Sequence, residues 1–524
     1  MTLKLIYFVI HGCLFFFLYY NNLIMLHIND DLALYWLLKA GYSGTLILSY
    51  PVSLILVNLY QLFPSVQWLS SFYFLLTILN IVIFYVYIIE NIEDKLSKIL
   101  LILLSVFLYI YFWENVSVTI LTLLTYVSAV SVYRYNTKIT FFLIVIALLL
   151  RTDIAILCLP FVVLSLFFIN NSKTTEWKTL LLGSIIIILT IWINFYLIKN
   201  DSLYYNWTQF NGARAFFSDL KANMEITNFT PEQKEMLDKW WVQDEFLLPN
   251  EQVISQQYSL SLLYLEKILD FNISNLISGK FKFILLFLFL FGLFVFYKYY
   301  RNYLFGYIIF FMGILLVLIL RNVDRVIIPL LFLWFILLLE LSKNNKIVIR
   351  FFILGFIFFI VSLKIVYLKI STENLELKKE QMNLLNSLNM KCEFSLSFPQ
   401  DIYKKNKLLD YNFLFDEYNW IDIKNNTLPS GWISRHPYFY ESHNITYFDN
   451  QRKYKDYYNW LISAESCFYG GEINKDIDSF LAMYDSKMTD KSCKHKIKVI
   501  TEIGSSKITK IYLDCEKSND ITNN

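Results

Sequence analysis

Glycine-rich phosphate loops are missing from this chain. It holds no GxGxxG, no P-loop, no GxSxG and no HExxH, so soluble nucleotide-sugar folds, ATP-driven pumps, serine hydrolases and zinc peptidases find no support. Charge is scarce: 17% of residues are Asp, Glu, Lys or Arg, and they nearly cancel to a net +3. No basic stripe is interleaved with aromatics, which argues against a nucleic-acid partner. The six cysteines include no CxxC pair, and His495 is the one histidine beside the terminal group, a poor match to a structural zinc site. The first segment starts with a charge, as a signal peptide does, but lacks a small-residue cleavage site.

What the chain has instead is hydrocarbon. Its 524 residues are 56% hydrophobic and 19% aromatic, with a mean hydropathy of +0.47, and the apolar residues come in long unbroken runs. Membrane is therefore the expected partner. Runs near 4–26, 67–90, 97–113, 116–133, 138–150, 153–169, 179–198, 280–298, 303–320, 325–342 and 348–369 predict about eleven spanning helices, the first a retained signal anchor. With the amino terminus and Lys4 inside, the short inner loops carry Lys95 and Lys98, Arg134 and Lys138, Lys173 and Lys178, Lys298 and Arg301, then Lys343, Lys346 and Arg350. Each loop satisfies the positive-inside rule. The runs at 138–150 and 153–169, divided only by Arg-Thr-Asp, are the shortest pair, and fusing them would reverse every later loop.

This orientation leaves three hydrophilic stretches outside: about 27–66, about 199–279, and everything beyond about 370. The last is rich in Lys, Asp, Asn and Tyr, and HKIKVITEIGSSKITKIYLDCE reads as two strands joined at Gly504. The expected fold is an all-α polytopic membrane module over 1–370 with a small extracytoplasmic α/β domain over 371–524. Cysteine placement agrees. Cys13 and Cys158 fall in predicted helices, while Cys392, Cys467, Cys493 and Cys515 share the terminal domain, an even set in a compartment where disulfides form. Three connectivities are open, Cys493 with Cys515 among the possible pairs.

The residues that ask for an explanation are Asp30 and Asp31, two adjacent acids at the outer edge of the first apolar run. Carboxylates beside lipid are costly unless used or paired. One of them, or Asn29, would serve as the cap of a helix starting near Leu32, an account that suits one acid better than two. The string NDDLALYWLLKAGYSG, followed by YPVSLILVNLYQLFP, supplies Asn29, Asp30, Asp31, Gly41, Gly44, Asn58, Leu59 and Tyr60. With the outer loops after helices one and seven and the outer carboxy-terminal domain, it resembles the GT-C superfamily of membrane glycosyltransferases, in particular a group of bacterial GT-C-like proteins. LRTDIAILCLPF at 150–161, FNGARAFFSDL at 210–220, RNVDRVIIPL at 321–330 and SGWISRHPYF at 430–439 resemble the same group. The chain departs from the group's pattern at Lys39-Ala40-Gly41 and at His436.

The resemblance implies an inverting transfer of a hexosyl or pentosyl group from a polyprenyl-phosphate-linked donor to a glycan, lipid or protein acceptor on the outer face of the cytoplasmic membrane. A lipid-borne donor would account for the missing nucleotide site. Asp30 or Asp31 would be the catalytic base, with Asp30 in the position the superfamily marks. Glu114, in the outer turn between helices three and four, would join Asp30 around a divalent Mg or Mn ion. Arg321, Arg325, Arg151 and Arg214 are candidates for the donor phosphate, since a guanidinium presents paired donors and keeps its charge. Snorkelling, or pairing with Asp153 for Arg151 and Asp324 for Arg325, is the plainer use. Trp240, Trp241 and Trp432 suit sugar stacking or interface anchoring, and His27 reads as structural. An O-antigen-type polymerase or ligase is the alternative enzyme; a lipid-linked glycan flippase would call for mid-span charges and repeated halves, which the sequence does not display.

Overall fold

The structure is a computed structural model. It describes residues 3–20 and 31–357, with breaks at 115–116, 134–135, 170–176, 240–241, 243, 246, 270–281, 321–323, 343–344, 348 and 351. Beyond these it describes 393–396, 427–429, 435–437, 459, 462–463, 466–469, 477–487, 493–503 and 506–515. The described residues are mostly helical and divide into two compact units: Met1–Asn200 with Tyr264–Thr372 and Asn412–Asp416, and Asp201–Leu263 with Glu373–Tyr411 and Glu417–Asn524. The stretch after the seventh run thus belongs with the carboxy-terminal segment rather than with the helices that flank it in sequence.

The first unit contains α1 (Leu3–Tyr20), α2 (Asp31–Lys39), α3 (Tyr50–Leu62), α4 (Trp68–Asn91), α5 (Lys95–Glu114), α6 (Val118–Val132), α7 (Thr137–Leu150), α8 (Thr152–Ile169) and α9 (Trp177–Asn200). From α4 to α9 the ends lie within two residues of the apolar runs, because polar caps end what hydrophobicity begins. Ser117 accepts from the Ile120 N–H at 3.2 Å, and Asn136 from the Lys138 and Ile139 N–H groups. The short pair at 138–169 is two helices, divided by the single extended residue Arg151 (φ −145°, ψ 93°).

Three helical stretches are long and apolar enough to cross a bilayer by length and composition: Trp68–Ile88, Thr152–Ile169 and Gly183–Asn200. Shorter apolar helices at Tyr50–Leu62, Val118–Val132, Thr137–Leu150, Ile284–Tyr299, Arg301–Val317 and Val326–Ser342 fall below the roughly 20 residues that span the hydrocarbon unaided. α9 is the most open, showing Ile188, Trp192, Phe195 and Tyr196 to the surroundings. α6 is the reverse: every residue from Val118 to Val132 is buried.

That central helix carries Thr119, Thr122, Thr125, Ser128 and Ser131 at a strict spacing of three. Thr122, Thr125 and Ser131 donate back to the carbonyls of Val118, Leu121 and Val127, and Ser128 donates to Asn80 Oδ1 on α4 at 2.6 Å. Asn80 Nδ2 closes the exchange at Thr125 Oγ1, 3.3 Å away, so the hydroxyls are satisfied without water. Around α6 pack α4, α7, α8 and α16 (Asp324–Ser342), followed by α14 (Lys282–Tyr299) and α15 (Leu304–Leu320). α14 and α15 meet where Tyr307 donates to the Leu288 and Phe289 carbonyls. A Cβ at Gly292 would stand 1.9 Å from the Tyr307 oxygen, so only glycine allows this approach.

The second unit has α10 (Ser202–Ser218), α11 (Pro231–Asp238), α12 (Asn250–Ser255) and, straddling the division, α13 (Leu260–Leu269); α17 (Ile477–Lys487) comes from the carboxy-terminal segment. Thr230-Pro231-Glu232-Gln233 forms the full capping box at the start of α11. Five strands, β1 (Glu393–Leu396), β2 (Thr427–Pro429), β3 (Ser466–Tyr469), β4 (Cys493–Ile503) and β5 (Ser506–Cys515), lie in the order β2-β1-β3-β5-β4. β4 and β5 pair antiparallel, as their sequence predicts, with Ile503 opposite Ser506 and Cys493 opposite Cys515. Cys493 is disulfide-bonded; Cys467 lies in β3, and Cys392 falls outside the described residues. The core of this unit joins Phe217, Leu237 and Leu248 to Leu481, Tyr484 and Ile511, which is why 201–263 and the chain's end are one body.

Candidate functional site

α2 starts at Asp31, the acid singled out by sequence, and buries Leu34, Tyr35, Leu37 and Leu38 completely. It ends in a left-handed turn at Gly41 (φ 91°), with the Gly41 N–H donating to Leu38 O and the Tyr42 N–H to Leu37 O. The following segment is tied down at several points: Ser49 donates through Oγ to Leu149 O and through its N–H to Leu150 O, and the Tyr50 N–H donates to Asn194 Oδ1 on α9. The residues after the first apolar run are therefore fixed against the ends of α7 and α9.

Asp31 itself is 0% exposed. Its Oδ1 accepts the Tyr73 hydroxyl at 2.6 Å and the Val118 N–H at 2.9 Å. Val118 is the first residue of α6, where backbone N–H groups have no carbonyl within the helix and the dipole favours a negative charge. Ser117 caps one such group and Asp31 takes another. Beside them, Gln67 Nε2 donates to the Tyr35 hydroxyl at 3.0 Å, and Lys39 lies 5.7 Å from the Tyr35 ring centre. Partial burial pushes the Lys39 ammonium down to about 8 from its ordinary 10.5.

One residue along α6, Thr119 accepts from Arg151 Nη1 at 2.6 Å. Arg151 is 5% exposed, and its Nε and Nη2 reach the two carboxylate oxygens of Asp153 at 3.1 and 3.4 Å. The start of α6 thus has a buried acid bonded to Val118 and a buried cation bonded to Thr119. Glu114 is the last residue of α5, three positions before Ser117 in the chain; its side chain lies outside the described residues.

The other sequence candidates fare differently. Asp30, with Asn29 and His27, lies outside the described residues, as do Arg321, Trp240, Trp241 and Trp432; Arg325 is the second residue of α16, its side chain undescribed. Arg214 belongs to the second unit, where it is 3% exposed and reaches Asn211 Oδ1 at 3.3 Å and Asp219 Oδ1 at 3.4 Å, an internal ion pair rather than a cation offered to a ligand. The SRHP motif is likewise structural. Arg435, in the left-handed region (φ 63°), donates to the carbonyls of Asp244 and Leu248 and to Asn250, and lies 4.2 Å from the Phe210 ring centre. His436 meets Trp207 edge-on at 4.4 Å. Among the described residues no three His, Cys, Asp or Glu side chains converge as a metal site would require.

Tyr73 and Thr119 complete the Asp31 and Arg151 pairings, and sequence reading missed both. Each is a neutral residue inside an apolar run; Thr119 is at least next to the first residue of α6, while Tyr73, five residues into α4, carries no local signal. Compared with protein-family models, with curated proteins and with solved structures, the chain has no match in any of the three.

Proposed function

We propose that the chain is a multi-pass membrane glycosyltransferase of the GT-C kind, with about eleven spans. It would move a sugar from a polyprenyl-phosphate donor to a cell-surface acceptor at the outer face of the cytoplasmic membrane. The observation that carries this reading is the burial of Asp31 at the start of α6, against the Tyr73 hydroxyl and the Val118 amide. A carboxylate committed to two donors suits positioning rather than proton transfer, so Asp31 holds the start of α2 and the neighbouring Asp30 is the base. The acceptor hydroxyl gives its proton to Asp30, its oxygen attacks the anomeric carbon from the face opposite the phosphate, and the C–O bond to the phosphate breaks with its electron pair leaving on phosphate. The leaving group calls for cations; Arg325, Arg321 and, on the α6 side, Arg151 are the candidates that remain. Any divalent ion would rest on Asp30 and Glu114, and no step is routed through it.

The test is turnover of polyprenyl-phosphate-linked sugars in membranes bearing the wild type, Asp30→Asn or Asp31→Asn. Loss of turnover in Asp30→Asn, with a smaller loss in Asp31→Asn, is expected. Full turnover in both variants overturns the mechanism.

A further inference from the structure

α13 (Leu260–Leu269) has two unlike sides. Leu263 points inward and is buried in the core of the second unit with Phe217, Leu248 and Tyr484. Leu262, Leu265 and Leu269 recur at spacings of three and four, so they share one side of the helix, with Ile268 beside them. These four are open, Leu265 at 52% and Leu269 at 74% exposure. Leu260, at the first position, is open as well. Glu266 and Lys267 are half-buried, so the solvent-accessible side of this helix is its apolar one, the inverse of a helix lying on a water-facing surface.

What covers that side follows from where the helix stands in the chain. α13 is separated by twelve residues, 270–281, from α14, an apolar helix that opens with Lys282. The division between the two units falls inside α13, between Leu263 and Tyr264. Elsewhere among the described residues, open rows of large apolar side chains belong to the apolar helices of the first unit, as with Ile188, Trp192 and Phe195 on α9 and Leu286, Leu290 and Phe294 on α14. We infer that α13 is an interfacial helix whose Leu262, Leu265, Ile268 and Leu269 side is immersed in the lipid of one leaflet, its axis along the membrane surface and Leu263 held by the second unit. A ten-residue helix, about 15 Å long, is too short to cross, whereas laying such a side at the boundary between headgroups and acyl chains removes it from water. Half-buried Tyr264, with an apolar ring and a polar tip, suits that boundary. The helix is thereby held at the bilayer surface, where a lipid-borne substrate presents its headgroup.

The inference rests on the membrane reading, and the experiment separates the two. An environment-sensitive fluorescent amino acid is introduced by stop-codon suppression at Leu265, and separately at Leu269, in the full chain reconstituted into phosphatidylcholine vesicles with brominated acyl chains. Leu189 on α9 serves as the lipid reference and Glu225 as the water reference. Expected are blue-shifted emission and bromine quenching at 265 and 269 comparable to 189, and neither at 225. Quenching at 189 with water-like emission at 265 and 269 overturns the inference and leaves the membrane reading standing. Water-like emission at all of them overturns both.

Discussion

Asp31 and Asp94 are both acids at breaks between helices of the first unit, and the protein holds them in opposite ways. Asp94, between α4 and α5, is gripped by Arg350 through Nη2 at 2.6 Å and Nε at 2.9 Å, and accepts from the Ser97 hydroxyl and N–H. Hydrogen bonds from Arg350 and Ser97 hold its carboxyl well below the usual carboxylate range. Asp31 sits deeper, and the atoms bonded to its Oδ1 are a phenol and a backbone amide. A partly exposed acid paired with arginine closes a joint between helices. A fully buried acid bonded to a phenol and a backbone amide ties the start of α2 to α4 and α6.

The largest effect expected from this contrast is at Asp31. Asp31→Ala removes the acceptor of the Tyr73 hydroxyl and the Val118 N–H in the interior, at about 1–3 kcal/mol each; thermal unfolding in detergent should register a loss of about 2–6 kcal/mol, with Tyr73→Phe giving the lesser part. If Asp31→Ala unfolds like wild type, the buried acid anchors nothing. A smaller effect, and one visible only with pH, is expected at Asp94. Its lowered pKa contributes stability that is present above the ordinary carboxylate value of about 4 and lost as pH falls below it. Asp94→Asn should therefore lower the melting temperature at pH 7 and flatten the acid limb of the stability profile; an unchanged acid limb assigns that limb to other groups. The smallest belongs to Lys39. Because its folded pKa is depressed to about 8, the folded state sheds a proton before the unfolded chain does, and stability climbs from about pH 8 towards the ordinary value of 10.5. Lys39→Met should abolish that slope, as melting curves between pH 7 and 10 would record.

The helices from α4 to α9 and from α14 to α16 were legible because long apolar runs ended by Ser, Asn or a lone extended residue leave little choice, whereas α3, inside the stretch 27–66 read as an outer loop, was not. Thr230 and Gln233 announced α11, and Gly504 with its two serines announced the β4–β5 pairing. Asp31 was legible through the cost of charge beside lipid. Tyr73 and Val118, 42 and 87 residues away, were not, since a phenol and a backbone amide leave no mark in an apolar stretch. Nor was the make-up of the second unit. Phe217 and Leu248 look like ordinary loop hydrophobes until Leu481 and Ile511 pack on them, and no local pattern records a pairing across more than two hundred residues. Arg214 misled for a related reason: its charge stood out, while Asn211 and Asp219, which absorb it, looked like background.

The exchange between Asn80 and α6 bears on which helix depends on which. Thr122, Thr125 and Ser131 satisfy their hydroxyls on their own helix, so α6 needs no other helix to partner them. Asn80 cannot do the same, because the partners of its amide, Thr125 and Ser128, lie two helices later in the chain. The amide of Asn80 is therefore satisfied only once α6 has packed on α4, so one asparagine makes the earlier helix depend on the later one.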